Sequence, residues 1–481
     1  MSRDFIGRSR ELEYLRRRLD LVRRRGEGRA LAMRGRRQVG KSRLVQELCN
    51  RSEVPYFYFS FSKGMPVPQE VENFTAELRR SPLAAEAGPL PEVRAGSWSD
   101  AFSLLSLSLP DSPSIVVLDE VPWAAEADVS FEGVLQTVWD RQWSRKPILL
   151  LLLGSDLHMM ERLTSYDRPF YGRAVSMQLR ALNPADCADH LALGGADALD
   201  AYLISGGMPG ILTSWQRGMR PDRYLQEACE EVGTELFTIP MQAVLAEFPG
   251  PGNTRRVLEA IGTGNRTQAK ISSAAGNLDK PLDSGVLTPI LRTLSEQKRV
   301  VAAESPLSTK KGQPRLYSIA DPNLRLYFAV LRESYRLAER GLTNAAMELT
   351  QRRWPSWRGR AIEPVIREAL TLAADQGRLP WDGVRAVGGW WNRRFDPEVD
   401  LIGADDAPIA GDVSFAGTVK WLARPMQAKE VGELRRATAV VPGAEGSDLV
   451  GVSLTGFSDE ARESLTLAWG PDDVVDAFRV R

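Results

Sequence analysis

Gly35-Arg36-Arg37-Gln38-Val39-Gly40-Lys41-Ser42 is the stretch on which the reading of the whole chain turns. It matches G-x-x-x-x-G-K-[ST], whose glycines let backbone N–H groups turn inward around phosphate oxygens. Residues 30–33 just before it are an apolar run suited to a strand, and residues 41–49 just after it read as a helix. A helix N-terminus adds unpaired amides and positive partial charge to such a loop. Lys41 is then expected on the β- and γ-phosphates and Ser42 on Mg²⁺. Residues Gly35, Arg36, Arg37, Gln38, Val39, Gly40, Lys41 and Ser42, with Arg43 following, form the expected triphosphate cradle.

Working outward, Ile115-Val116-Val117-Leu118-Asp119-Glu120 supplies a second half. An apolar strand delivers Asp119 to the carboxyl edge of a sheet, where ligands bind in open α/β folds. An aspartate there suits Mg²⁺, and the adjacent Glu120 suits an attacking water. Residues 148–153 are another apolar run, ending at Gly154 and Ser155. Ser155 reads equally as a γ-phosphate sensor or as the second half of a Gly-Ser turn. Arg173 reads as a γ-phosphate contact, in cis or from a neighbouring molecule, or as a surface arginine.

Strand-like runs at 30–33, 56–61, 114–118, 148–153 and 174–179 alternate with helical patterns at 8–25, 41–49, 66–80, 99–107 and 131–143. That alternation, with apolar runs covered on both faces, predicts an α/β domain with a parallel sheet. Beyond residue 183 the pattern turns mostly helical, interrupted by Gly206-Gly207-Met208-Pro209, with a linker expected at residues 250–252. A final α/β block is expected from Trp354. At 481 residues the chain is too long for one ordinary core.

Sixty-two basic and 62 acidic residues balance, so net charge selects no class of partner. Cys49, Cys187 and Cys229 are far apart and odd in number, which argues against a disulfide framework. His158 and His190 are too few for a histidine-rich metal site. No apolar run is long enough to span a bilayer, so no membrane partner is expected and a cytoplasmic location is.

Taken in order, Phe5-Ile6-Gly7-Arg8 with Glu11, RGRRQVGKS, LDEVPW, LLLGSDLHMMERL, Pro169-Phe170-Tyr171-Gly172-Arg173 and Gly206-Gly207-Met208-Pro209 form a series. It resembles the archaeal-type ATPases, a branch of the STAND group of AAA+-like P-loop NTPases, from about Phe5 to about Gly451. The resemblance implies an ATPase core (1–182), a helical lid (183–249), a winged helix (253–322), a helical connector (323–353) and a C-terminal nuclease-like domain (354–481). It implies ATP as the nucleotide, Ile6 and Gly7 near the adenine, Arg173 on the nucleotide, and Pro209 in a lid segment that follows nucleotide state.

Three helix-sized patterns at 255–261, 267–274 and 284–298 precede strand-like runs at 300–303 and 315–319, joined by residues 308–314. A winged helix can lay its third helix in a major groove and its wing on phosphates. Thr288, Arg292, Lys310, Lys311 and Arg315 are the DNA-contact candidates; the alternative is a lever that packs on the ATPase. Farther on, Glu363, Asp400 and Lys420 resemble the acids and lysine of the PD-(D/E)xK restriction-endonuclease core. Thr418 stands two residues before Lys420, where that pattern wants an acid, and neighbours i and i+2 share a strand face. A hydroxyl there removes one charge from a metal site, which predicts a degenerate domain. The expected function is a Mg²⁺-dependent ATP-hydrolysing switch in signalling or DNA-associated control. It would alternate between ATP and ADP, with a protein partner and a nucleotide-dependent oligomer as candidates. An ATP-dependent nuclease or defence effector is the alternative.

Overall fold

The computed structural model describes residues 5–88, 90–92, 94–231, 233–248, 250, 252–277, 280–312 and 314–479. Part of the expected linker (Pro251) and Gln313 of the 308–314 loop lie outside the described residues. The chain divides into two compact units, Met1–Ala181 and Leu182–Arg481.

The first unit is an α/β layer structure. Its strands are β1 (Arg29–Arg34), β2 (Tyr56–Ser60), β3 (Ser114–Asp119), β4 (Ile148–Gly154) and β5 (Ala174–Gln178). They form one sheet in the order β2-β3-β4-β1-β5, every pair parallel. All residues of β3 and β4 are buried, as expected for central strands covered by helices on both faces. The helix Ser9–Arg25 places Leu15, Leu19 and Val22 inward at helical spacing and ends on Gly26, whose N–H returns to the Val22 carbonyl. It packs with the helix Lys41–Ser52 on one face of the sheet.

Alternation along β2 sorts its aromatic residues. Phe57 and Phe59 enter a cluster with Phe74, whose ring centroid lies 4.9 Å and 5.0 Å away in edge-on contact. Phe61, Trp98, Phe102 and Phe131 extend it through further edge-on pairs. Each such ring contributes roughly 1.5–3 kcal/mol by burial. Tyr56 and Tyr58 fall on the opposite face, with the helix Lys41–Ser52. A short helix, Pro82–Ala87, stands in the stretch between the helices expected at 66–80 and 99–107; Ser81 caps it by accepting the Ala84 N–H.

The second unit begins with helices from Pro184–Leu191 to Glu235–Glu247, then Asn253–Gly262, Gln268–Ala275 and Ser284–Arg292. The last of these runs on as a π-helical turn, Thr293–Gln297, rather than as one regular helix to residue 298. The hairpin β6 (Val301–Glu304) and β7 (Leu316–Ile319) follows. The helical connector expected over 323–353 is broken at residues 340–342, where Gly341 adopts φ 77°. Trp354, the expected start of the last block, lies inside the helix Thr343–Ala361, and the break before Glu363–Asp375 comes at Ile362. The final sheet contains β8 (Ala386–Trp391), β9 (Glu398–Ala404), β10 (Val413–Lys420), β11 (Asp448–Ser453) and β12 (Leu467–Trp469). It is mixed: β8-β9-β10 are antiparallel, and β10-β11-β12 are parallel. Cys49, Cys187 and Cys229 are all buried and free. Among the described residues, no helix is long and apolar enough to cross a membrane.

Candidate functional site

The carboxyl ends of β1, β3 and β4 bring the expected nucleotide residues together. β1 lies between β4 and β5, and the loop that leaves it enters the helix Lys41–Ser52 at once. Gly35 has no room for a side chain, since a Cβ there would stand 2.6 Å from the Leu179 carbonyl oxygen. Gly40 turns the chain into the helix at φ 96°, a left-handed conformation that favours glycine. Val39 is buried under the loop, while Arg37, Gln38 and Arg43 are exposed.

Lys41 is 6% exposed. Its ammonium donates to the carbonyls of Gly35 (2.8 Å) and Arg36 (3.3 Å), so the loop folds back on its own lysine. Burial lowers the Lys41 pKa, opposed by the charges of Glu120 and Asp119. Ser42 donates from Oγ to Asp119 Oδ2 at 2.7 Å across 77 residues. Asp119 is 4% exposed, and its other oxygen accepts the Glu120 N–H at 2.9 Å. A hydroxyl and a carboxylate thus meet beside a lysine at a helix N-terminus, a donor set that fits a hard divalent cation with phosphates.

Glu120 stands at φ 55°, ψ 39°, and a non-glycine residue so held is a recurrent mark of functional sites. Its carboxylate accepts from the Ser155 hydroxyl (2.9 Å) and the Ser155 N–H (3.3 Å). Ser155 follows β4 directly and holds the second carboxylate, a contact that neither reading of it anticipated.

Two residues in this geometry had no assigned role from sequence. Tyr58 donates its hydroxyl to Asp119 Oδ2 at 2.5 Å. Burial, then the charge of Asp119 and the bond to it, push the phenol well above its ordinary pKa. The alternation Tyr56-Phe57-Tyr58-Phe59 was the available signal, because it puts Tyr58 on the phosphate-loop face. Arg8 is the second. Its guanidinium donates to the carbonyls of Val39 (3.0 Å) and Arg180 (2.6 Å) and pairs with Glu11 at 2.9 Å. It ties the Ile6-Gly7 segment to the phosphate loop, with Ile6 buried and Gly7 exposed.

Arg173 pairs with a carboxylate of its own unit. Both ends of its guanidinium engage Asp140, at 2.8 and 2.7 Å, and it donates to the carbonyls of Pro169 and Tyr171. Among the described residues it makes no hydrogen bond to the phosphate loop; the fork geometry of the aspartate pair holds it elsewhere. Pro209 is the first residue of the helix Pro209–Ser214 in the second unit, a position where its missing N–H and fixed φ are favourable.

The wing loop is held at several points along its length. Its loop does not project freely. Leu307 joins the core of the C-terminal sheet and donates its N–H to the Gly389 carbonyl. Ser308 bridges to Ile409, the Thr309 N–H reaches the Pro442 carbonyl, and the Trp391 indole reaches the Pro314 carbonyl. Lys310, Lys311 and Arg315 remain exposed, as do Thr288 and Arg292. Arg292, however, pairs with Glu296 on its own helix at 2.9 Å. The apolar Leu307 draws the loop onto the sheet, a tertiary preference that local sequence does not carry.

Of the nuclease-like residues, Glu363 feels the charge of Asp400, and Lys420 alternates onto the same face of β10 as Thr418. Asp400 Oδ2 accepts from the Thr418 hydroxyl (2.9 Å) and the Val419 N–H (2.8 Å), so Thr418 does sit beside it. Arg367 donates to the Asp400 carbonyl, to Glu304 and, at 3.5 Å, to Glu363. Burial, then the charge of Asp400, push the Glu363 carboxyl up to about 7. The charge of Lys420 is felt by Glu430. Among the described residues, no group of three or more His, Cys, Asp or Glu side chains is arranged to hold a metal.

Residues 327–431 match the family DUF234, described as archaea bacterial proteins of unknown function. Over 418 residues, 84% of each chain, the sequence is 25% identical to an uncharacterized protein of Methanocaldococcus jannaschii. Among solved structures, a Walker-type ATPase of Pyrococcus abyssi is similar at TM-score 0.50 and 17% identity, covering 68% of this chain and 97% of that one. The ORC2 protein of Aeropyrum pernix, in ADPNP–ADP complexes, gives TM-score 0.48 and 13% identity over 72% and 96% of the two chains. At these identities the similarity to the Pyrococcus abyssi protein is one of fold, and the fold shared is that of the P-loop NTPases.

Proposed function

We propose that this chain is a Mg²⁺-dependent ATP-binding and ATP-hydrolysing switch. One observation carries the reading: Ser42, Asp119, Glu120 and Ser155, from three strand ends, are joined by hydrogen bonds, and Lys41 lies close enough to feel the charges of Glu120 and Asp119. Bound Mg²⁺ would offset phosphate charge, and Ser42 and Asp119 are the residues to hold it. Lys41 exchanges the Gly35 and Arg36 carbonyls for phosphate oxygens when a triphosphate enters. Glu120 leaves Ser155 to take a proton from the attacking water, so the Glu120–Ser155 contact is the resting position of the base. Adenine as the base rests on the resemblance to the archaeal-type ATPases, with Ile6 and Gly7 as its expected neighbours.

The domains carried by the switch are the lid (183–249), winged helix (253–322), connector (323–353) and C-terminal domain (354–481). We read the last as a degenerate PD-(D/E)xK-like domain. Thr418 in place of an acid and Arg367 against Glu363 support that reading, since a guanidinium there supplies positive charge to the acids. The docking of residues 307–309 on the C-terminal sheet favours a lever over a DNA-reading wing.

The test is titration calorimetry with Mg²⁺ and ATP, paired with phosphate release. Lys41→Ala should abolish binding. Glu120→Gln should bind ATP and lose about 10²- to 10⁴-fold in turnover, the range of a general base. Wild-type turnover in Glu120→Gln, or no binding of ATP by the intact chain, would overturn the assignment.

A further inference from the structure

The second unit encloses a cavity of about 390 Å³ that no step of the proposed switch uses. Its walls come from the helix Asn253–Gly262 and the loop after it, from β7, and from the helices Thr343–Ala361 and Glu363–Asp375. Arg266, Arg325 and Arg367 line it together with Glu304 and Glu363. Arg352, Arg353 and Arg360 line it as well, all three exposed. Six arginines therefore line it against two carboxylates, and one of the six, Arg266, pairs with Glu398 at 3.8 Å.

The carboxylates are already committed. Arg367 takes Glu304 at 2.8 Å and Glu363 at 3.5 Å. Arg325 is spent on the Ile319 carbonyl, at 2.8 and 3.0 Å. Arg353 donates to the Ala329 carbonyl at 3.1 Å. Among the described residues, neither Arg352 nor Arg360 has a hydrogen-bond or ion-pair partner. Trp357, on the same wall, carries a buried indole N–H with no acceptor. A buried donor without a partner is uncommon enough in folded proteins to call for an explanation. The π-helical turn Tyr327–Leu331 contributes Ala329 and Val330 to the lining, and such turns concentrate at functional sites. With Glu363 raised to about 7, the carboxylate charge opposing the arginines is itself reduced near neutral pH.

We infer that this cavity is a binding site for a small molecule carrying at least two phosphate groups. Arginine forks match phosphate oxygens bidentately, and the two unspent forks, those of Arg352 and Arg360, suit one phosphate group each. The volume falls in the range of small-ligand pockets and suits a molecule up to mononucleotide size. Duplex DNA is a different class of ligand, too wide to enter a cavity of this size, and it serves as the opposing outcome of the test.

The experiment is titration calorimetry on the full chain carrying Lys41→Ala, which silences the phosphate loop. The ligands are inorganic pyrophosphate, inorganic phosphate and a duplex of about 20 base pairs, far shorter than the DNA persistence length of about 150 base pairs. Pyrophosphate should bind at least about tenfold tighter than phosphate, because it engages two sets of forks. Adding Arg352→Ala and Arg360→Ala should weaken pyrophosphate by at least about tenfold, with an unchanged melting temperature, since both side chains are exposed and unpaired. If the double substitution lowers the melting temperature, Arg360→Gln alone carries the same expectation. Absence of pyrophosphate heat, heat unaltered by the arginine substitutions, or duplex binding that pyrophosphate does not displace would each overturn the inference. Failure of ATP to bind the unsubstituted chain would sink the switch and leave this site standing.

Discussion

Tyr58→Phe isolates one hydroxyl in the nucleotide site. The ring stays on the phosphate-loop face of β2, so packing is preserved, and only the 2.5 Å bond to Asp119 Oδ2 is lost. A hydrogen bond to a charged group contributes about 1.5–3 kcal/mol. Asp119 keeps the Ser42 hydroxyl and the Glu120 N–H, so it is not orphaned and the low end applies. A unit of this size loses about 2–4 °C in melting temperature per kcal/mol, which makes the expected drop roughly 3–6 °C. The functional effect is sharper. Partners that orient a metal-binding side chain are worth about 10- to 100-fold in metal affinity. The Mg²⁺ concentration for half-maximal ATP hydrolysis should therefore rise at least about tenfold, while turnover at saturating Mg²⁺ stays within about threefold of the original. A phosphate-release assay across a Mg²⁺ series at saturating ATP measures both. An unchanged Mg²⁺ midpoint would refute the role given to Tyr58, whatever the melting temperature did.

Arg8→Met removes the donor of two carbonyls, those of Val39 and Arg180, and should destabilise the first unit by about 2–3 kcal/mol while weakening ATP binding. Thermal melting with and without Mg-ATP checks both effects; full ATP affinity would sink the link to the phosphate loop. Glu363→Gln bears on pH. The native carboxyl titrates near 7 and the unfolded one near 4.5, so between those values the native chain holds more protons and stability falls as pH rises. The substitution should remove that fall, leaving the variant ahead of the original by on the order of 3 kcal/mol at pH 8 and by nothing comparable at pH 4. Chemical denaturation at the two pH values measures it, and parallel pH profiles would contradict the shifted carboxyl.

The phosphate loop and its strand partners were legible because their chemistry is local and periodic. Eight consecutive residues prescribe the loop, and six fully buried residues in β3 write themselves as an apolar run ending in Asp119. The α/β alternation followed for the same reason. Tyr58 was half-visible: strand periodicity gives its face, yet only the β2–β3 pairing puts its hydroxyl on Asp119. Arg173 lay beyond reach, since an arginine pairs with whichever carboxylate the fold brings near, and the fold brings Asp140 from 33 residues away. The docking of the wing loop was not legible because Leu307 looks like any turn leucine until the C-terminal sheet offers it a core.

Sequence by itself determined the glycine loop ahead of its helix, the acidic strand end beside it and the layered class of the first unit, all of them consequences of short-range pattern. Tertiary structure alone decided the positioning of Asp119 by Tyr58, the capture of Arg173, the docked wing and the arginine-lined cavity. Each of those depends on a pairing between segments 24 to about 130 residues apart, where charge and burial are set by what the fold brings together and not by neighbours along the chain.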